Sequence, residues 1–423
     1  MINNGQGVSR MNTAILHYST LPVVGGVESV IQAQAVQFAA ADLSLTVITG
    51  RGDAKSLPQG VHFISVPEID TLHPEIAAAT ALLNTGIVPD NFESLTDRLT
   101  KKMRPILRDF DHVIVHNVFT KHFNLPLTAA LFHLMDENVL KHAIALCHDL
   151  TWSSPNSRDK VYSSYPWELL KTTHRNVTYM AISRKRQLEV CATFGLSINK
   201  VNILYNGVDA NALLNLTDEG CKLIDRMELW ESDLIMLMPV RITQAKNIEF
   251  AMRVVAALKT MNCSPKLIVT GPPDPHDIDS ISYYRSLTKL RDELGIENEV
   301  CFVYELGMKH GGGYVIDQSV VYDFLRVADL MFMPSHREGF GIPVLEAGLI
   351  GIPIFSTAVP AAEELAQDCV FVIKEGVDPL HLAKVILTAL NENKEHRLRV
   401  KVRQNYTWKA IFERDLLPLL NSR

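Results

Sequence analysis

Short apolar, β-branched runs alternate with longer segments of helical period, and the alternation occurs twice along this chain. A strand that must be followed by a helix before the next strand pairs in parallel, with the crossover packed on a sheet face, so the pattern restricts the chain to α/β architectures. In the first half AILHYS, LTVITG, VHFISV, HVIVHN, AIALCH, VTYMAIS and VNILYN read as strands, with helical stretches such as ESVIQAQAVQFAAA between most of them. The second half gives LIMLMPV, KLIVTG, VCFVYE, LMFMPS, PIFST and VFVI, again separated by amphipathic segments such as NIEFAMRVVAALK. Between the halves lies YNGVDANALLNLTDEG, a turn-rich polar connection read as the domain boundary. Two doubly wound domains in series bind ligands at the carboxyl ends of their strands, and a ligand shared by both is expected in a cleft between them.

Composition narrows the ligand. The chain has 423 residues, enough for two or three domains at roughly 150 residues each. A hydrophobic share of 47%, with 21% charged, is ordinary globular composition. The formal net charge of -6 gives no global reason to expect nucleic acid or an anionic membrane as the main partner, so a small ligand is expected. Cys147, Cys191, Cys221, Cys263, Cys301 and Cys369 show no CxxC spacing and mostly sit in or beside apolar runs, as reduced core thiols do. The opening MINNGQGVSRMN has no hydrophobic core of a signal peptide and reads as a disordered leader. No apolar run reaches the roughly 18 residues of a spanning helix. A cytoplasmic, soluble chain is expected, in which the NVT sequon at Asn176 is inert.

EGFGIPVLE, residues 338 to 346, carries two glutamates eight positions apart around uncharged residues. PSHREGFG follows the strand LMFMPS, and Pro343 starts a helical period, which puts Glu338 on a loop and Glu346 on a helix. Gly339 and Gly341 let backbone approach a ligand, and the free N–H groups at the helix start form an anion site. A carboxylate does not belong on that anion. The two glutamates therefore grip neutral, hydroxyl-rich parts on either side of a phosphate, a sugar at one end and a ribose at the other, which points to a nucleotide sugar. Two glutamates so spaced occur readily by chance; the flanking glycines, the proline and the preceding strand decide for function.

EGFGIPVLEAGLIGIPIFST resembles the E-x7-E signature of family-4 retaining glycosyltransferases with the GT-B fold, and the resemblance extends over nearly the whole chain. The same order of segments carries it: HYSTLPVVGGVE, the pair His148 and Asp149, YNGVD from Tyr205 to Asp209, PVRITQAKN around Arg241 and Lys246, and ADLMFMPS leading into EGFG. The resemblance implies two Rossmann-like domains facing a cleft: a leader at 1–11, an acceptor domain at 12–208, a nucleotide-sugar domain at 209–400, and a C-terminal helix at 401–423 crossing back onto the first domain. TWKAIFERDLLPLL, with Trp408, Ile411, Phe412 and Leu416 in a helical stripe, supplies that return.

The implied activity moves a hexose, with retention and without a metal or bound cofactor, from a UDP- or GDP-sugar to a hydroxyl acceptor. Its implied catalytic set is His148, Arg241, Lys246 and Glu338. The donor is expected to touch Gly25, Gly26, Asn206, Gly271, Gly339, Phe340, Gly341, Ile342, Pro343, Val344 and Glu346. Blander readings exist for several of these. Gly25 and Gly26 lack the full GxGxxG pattern and could form an ordinary turn, Arg241 and Lys246 could be a solvated helix start, and His148 could be a satisfied core histidine.

DID at Asp277 to Asp279 imitates a metal motif of another glycosyltransferase fold, and is read as chance. The clusters KKMR at Lys101 and SRKR at Ser183 are read as solvated helix faces ahead of a peripheral membrane contact. GGG at Gly311 to Gly313 reads as a mobile loop. The segment from Gly271 to Ile296 resembles the insertion of relatives acting on small soluble acceptors. Two other classes stay open: a sugar-nucleotide epimerase of the same fold, which would need a set of acid/base carboxylates, and a non-catalytic nucleotide-sugar-binding protein. Oligomeric state is not legible.

Overall fold

A computed structural model describes residues 11–276, 279–310 and 313–421, without the side chains of 307–310. The expected leader, most of the DID triplet and two of the three consecutive glycines fall outside or largely outside these residues. The chain divides into two compact units, one of Met1–Gly207 with Trp408–Arg423 and one of Val208–Thr407.

The first unit holds β1 (Thr13–Ser19), β2 (Leu45–Arg51), β3 (His62–Ser65), β4 (His112–His116), β5 (Ala143–Cys147), β6 (Val177–Ala181) and β7 (Val201–Ile203). They form one parallel sheet in the order β3-β2-β1-β4-β5-β6-β7. The second unit holds β8 (Leu234–Met238), β9 (Pro265–Val269), β10 (Val300–Phe302), β11 (Leu330–Met333), β12 (Ile354–Ser356) and β13 (Phe371–Val372), parallel in the order β10-β9-β8-β11-β12-β13. Every segment read from sequence as a strand is one. The central strands are buried along their whole length, as parallel strands covered on both faces must be, which is why they lack an alternating pattern.

Alternate residues of each strand feed cores on opposite sheet faces. Leu16, Val113 and Val115 pack towards the helices Phe92–Leu107 and Leu125–Asp136, while Ile15, Val47 and Ile114 pack towards the helix Gly26–Ala40. On that second face Ile411, Phe412 and Leu416 fill the core, with the Phe412 and Phe38 rings 5.2 Å apart. The returning segment is broken at Phe412–Leu416 by a wider helical turn, and it joins the first unit at Trp408 rather than at residue 401.

The preceding helix Lys394–Asn405 stays in the second unit, where Arg403 Nη1 donates to both oxygens of the fully buried Asp329 at 2.9 Å. The connection expected to be irregular contains the short helix Ala210–Leu213, and its end starts the helix Asp218–Arg226. Asp209 and Thr217 cap these two helices through their side chains, so residues that read as turn-formers act as helix starts.

Candidate active site

In doubly wound sheets the ligand crevice opens where strand order reverses, between β8 and β11 in the second unit. Asn247 lies just beyond β8 with φ of 51°, and its side chain donates to Pro334 O at 3.2 Å. The His336 amide donates to Ala245 O at 2.8 Å. These contacts tie the loop after β8 to the loop after β11 and bring together two residues distant in sequence. Lys246 Nζ donates to Glu338 Oε2 at 2.6 Å, and Ser335 Oγ donates to Glu338 Oε1 at 2.7 Å. Ser335 is itself held by Thr357, whose hydroxyl donates to Ser335 O at 2.6 Å. The Lys246 and Glu338 side chains are only 19% and 11% exposed, so this charge pair is more protected than a surface ion pair.

Arg241 stands apart from that pair. It is 57% exposed and lies 3.6 Å from Asp274, a loose contact that leaves the guanidinium free to move. The Gly271 amide donates to Val240 O at 3.0 Å, and a Cβ at Gly271 would stand 2.5 Å from that oxygen. Only glycine fits there. Gly341, with φ of 99°, turns the chain into the helix Ile342–Ile350, whose start no side chain caps. Gly339, Phe340 and Ile342 are exposed there, Pro343 is half-buried and Val344 is buried. Glu346 lies one turn into the helix, half-buried, and among the described residues no hydrogen bond or ion pair engages it.

The first unit's reversal point, between β1 and β4, carries a different chemistry. His17 on β1, His116 at the end of β4 and His148 just after β5 converge. His148 Nε2 and His116 Nδ1 are 3.0 Å apart, and His116 Nε2 lies 3.1 Å from Gln34 Oε1. His17 Nδ1 donates to His116 O at 2.9 Å. An amide oxygen only accepts, so His116 carries its proton on Nε2. A neutral His116 then accepts at Nδ1, and His148 must donate from Nε2, leaving its own Nδ1 as an acceptor. Burial holds all three rings neutral: it pushes His148 down to about 3, His116 well below the usual imidazole value, and His17 below it despite the opposing carboxylate of Glu28.

Glu28 accepts from Ser19 Oγ at 2.6 Å, and a Cβ at Gly25 would strike its carboxylate at 2.1 Å, so a side chain there would displace Glu28 from this position. Gly26 starts the helix with open space around it. Asn117 Oδ1 accepts from the amides of His148 and Asp149, fixing the turn after β5. Asp149 pairs with Lys121 at 2.8 Å and Arg186 at 3.3 Å. Asn206 is exposed on the segment leaving β7.

Of the residues singled out from sequence, His148, Gly25, Gly26 and Asn206 therefore belong to the first unit and the others to the second. His17, Glu28, Gln34 and His116 were missed. A signal for three of them was present: LHYS and IVHN place His17 and His116 at or near the end of a strand, as LCHD does for His148, and GGVE places Glu28 in the first turn of the following helix.

Residues 24–212 match the family described as glycosyltransferase family 4, and residues 223–405 match glycosyl transferases group 1. Mannosylglucosylglycerate synthase of Petrotoga mobilis is 24% identical, over 72% of this chain and 69% of that one. A D-inositol 3-phosphate glycosyltransferase of Streptosporangium roseum is 25% identical, over 47% of this chain and 43% of that one, so the chain spans less than half of that relative. Among solved structures, Anabaena Alr3699/HepE in complex with UDP is 18% identical, covering 98% of this chain and 100% of that one, with a TM-score of 0.34. With two Rossmann-like parallel sheets and both family matches in series, the chain belongs to the family-4 glycosyltransferases of the GT-B class.

Proposed function

We propose that this glycosyltransferase moves a hexose, with retention and without a metal, from a UDP- or GDP-sugar to a hydroxyl of a small soluble acceptor. The observation that carries the reading is the Lys246–Glu338 pair at 2.6 Å beside an uncapped helix start. Breaking the bond between the anomeric carbon and the diphosphate creates a dipole, negative on phosphate and positive on the sugar ring. A lysine and a carboxylate one hydrogen bond apart form the complementary dipole. Lys246 has two N–H groups left for phosphate oxygens, Arg241 can swing from its loose contact to the same charge, and the amides at Ile342 and beyond add the positive end of the helix. These groups supply the positive charge that a metal would otherwise bring.

Glu338 keeps unused lone pairs for sugar hydroxyls and for the ring as it becomes cationic, and Glu346, without a partner of its own, binds the ribose. His148 presents Nδ1 to a hydroxyl as an acceptor. In a retaining transfer of this kind the departing phosphate takes the proton from the acceptor hydroxyl as the new glycosidic bond forms on the same face. One relative is named for a D-inositol 3-phosphate acceptor, which favours a small soluble acceptor here.

Incubating the chain with a panel of UDP- and GDP-sugars and small polyols, followed by mass spectrometry and NMR of the product anomer, tests the proposal. Retained configuration and activity unchanged by a chelator are expected. An inverted product, or loss of activity on chelation, would overturn those parts; conversion of the donor sugar without any acceptor would make the protein an epimerase.

A further inference from the structure

At the carboxyl ends of β11, β12 and β13 the second unit contains a cavity of about 720 Å³. That size suits a small ligand, for which pockets run roughly 300 to 1,000 Å³. Phe250, Ile373 and Val377 give it apolar walls, and Arg253, Arg337 and Lys374 line it as cations. Among the described residues none of these three cations has an ion pair or side-chain hydrogen bond, whereas Lys246, Lys259, Arg291 and Arg403 of the same unit are all paired. His336 adds a further donor. Of the two carboxylates in the lining, Glu338 is already engaged by Lys246 and Ser335, which leaves only Glu375 against three unpaired positive charges. Cations converging on a partly apolar cavity without a counter-charge match a ligand that brings both an anion and a carbon skeleton.

We propose that this cavity is a second ligand site, taking a small organic anion with a carboxylate or phosphate group, and that its occupancy acts on Glu338. Arg241, Lys246, Gly271 and Glu346 do not line it, so the anion it holds is not the diphosphate of the donor. The coupling is built into the wall. His336 and Arg337 immediately precede Glu338, and Ser335 both lines the cavity and donates to the Glu338 carboxylate. An anion that draws Arg337 and His336 inwards moves the loop that aims Glu338. The acidic group could belong to the sugar acceptor or to a separate effector. Binding itself stands independently of the transfer reading; only the coupling rests on it.

Calorimetry on the full chain with orthophosphate, glycerate and, as a neutral control, glycerol tests the site. At least one anion is expected to bind and glycerol not. Arg253→Ala and Lys374→Ala, both at exposed positions, should each weaken the anion about tenfold, and saturating UDP or GDP should leave it bound. Failure of both anions to bind at about 10 mM, or displacement by nucleotide with unchanged affinity in the two variants, would overturn the site. Adding the bound probe to a donor-sugar assay separates its sources. A glycosylated probe is the acceptor, an unmodified probe that changes the rate of sugar release is an effector, and a probe that binds with neither result overturns the coupling to Glu338. An assay in which no sugar is released with any donor would count against the transfer reading and leave the anion site standing.

Discussion

The carboxyl ends of β1 and β4 and those of β8 and β11 occupy equivalent positions in two sheets whose first six strands follow the same order, yet they handle charge in opposite ways. The first keeps three histidines buried and neutral, and satisfies their rings through one another, Gln34 and the His116 carbonyl. The second pairs a lysine with a carboxylate, with an exposed arginine and an uncapped helix start in the same unit. One topology therefore supports either a network of neutral hydrogen-bonded rings or an ion pair beside an open helix start, according to whether the strand ends are closed by buried imidazoles or opened by glycine turns. The first is vulnerable to protons, the second to loss of a charge.

Acid should produce the largest difference. An unfolded chain protonates histidine near 6.5, whereas His148 in the fold resists until about 3 and His116 is also held well down, both by burial. Below 6.5 the unfolded chain binds more protons than the folded one, so stability falls with pH from there towards about 3. His148 alone should remove about 2 kcal/mol between pH 7 and 5, and His116 adds to that loss in the same direction. Hydrogen exchange, corrected for intrinsic rates, should show Thr13–Ser19 and Ala143–Cys147 losing protection over that range well before Leu234–Met238 does. In the second unit His396 is also lowered by burial, but the Asp329 carboxylate beside it pulls it back. Equal loss in both units would break the comparison.

Next in size is the charge pair. Lys246→Ala or Glu338→Gln should each lower turnover by roughly 100- to 1,000-fold. Because the two side chains act as one unit, the double variant should lose little more than the worse single one. Multiplying effects, or near-normal turnover in either single variant, would separate Lys246 from Glu338 functionally despite their contact.

The sheets, their order of elements and the placement of Glu338 on a loop and Glu346 on a helix were legible because they are written in local signals: apolar runs of strand length, glycine at forced turns, and two glutamates bracketing a helix start. The contact between Lys246 and Glu338 was not, since it depends on Asn247 and His336 bridging two loops. The histidine cluster was read only at His148, because its meaning comes from three strands aligning side by side and a single buried imidazole looks like core. The cavity after β11 to β13 left no motif at all: its cations lie on three separate segments, each ordinary on its own.

A backbone variant sharpens the contrast at a smaller scale. Gly271→Ala places a Cβ 2.5 Å from Val240 O and 2.8 Å from Arg241 Cα, so the chain beneath Arg241 must shift. A stability loss of about 1 to 3 kcal/mol is expected, together with weaker binding of UDP or GDP by calorimetry. Gly26→Ala, where nothing lies within reach of the new methyl group, should carry no such stability loss. Unaltered nucleotide binding in Gly271→Ala would show that the position of Arg241 is not set by this close approach.

The smallest expected effect divides the second unit's two glutamates from one another. Glu346 is proposed to accept from the ribose in the bound donor and in the transition state alike, which is uniform binding. Glu346→Gln keeps an oxygen acceptor but loses the charge, so UDP or GDP affinity should fall about three- to tenfold, with turnover at saturating donor changed less. Glu338 is proposed to contribute as the sugar ring becomes cationic, and Glu338→Gln should leave nucleotide affinity nearly unchanged while turnover drops. Titrating both variants with UDP and GDP beside steady-state transfer separates the roles. If Glu338→Gln loses the nucleotide and Glu346→Gln loses only turnover, the carboxylate tied to Lys246 is the ribose ligand and the one without a partner faces the sugar.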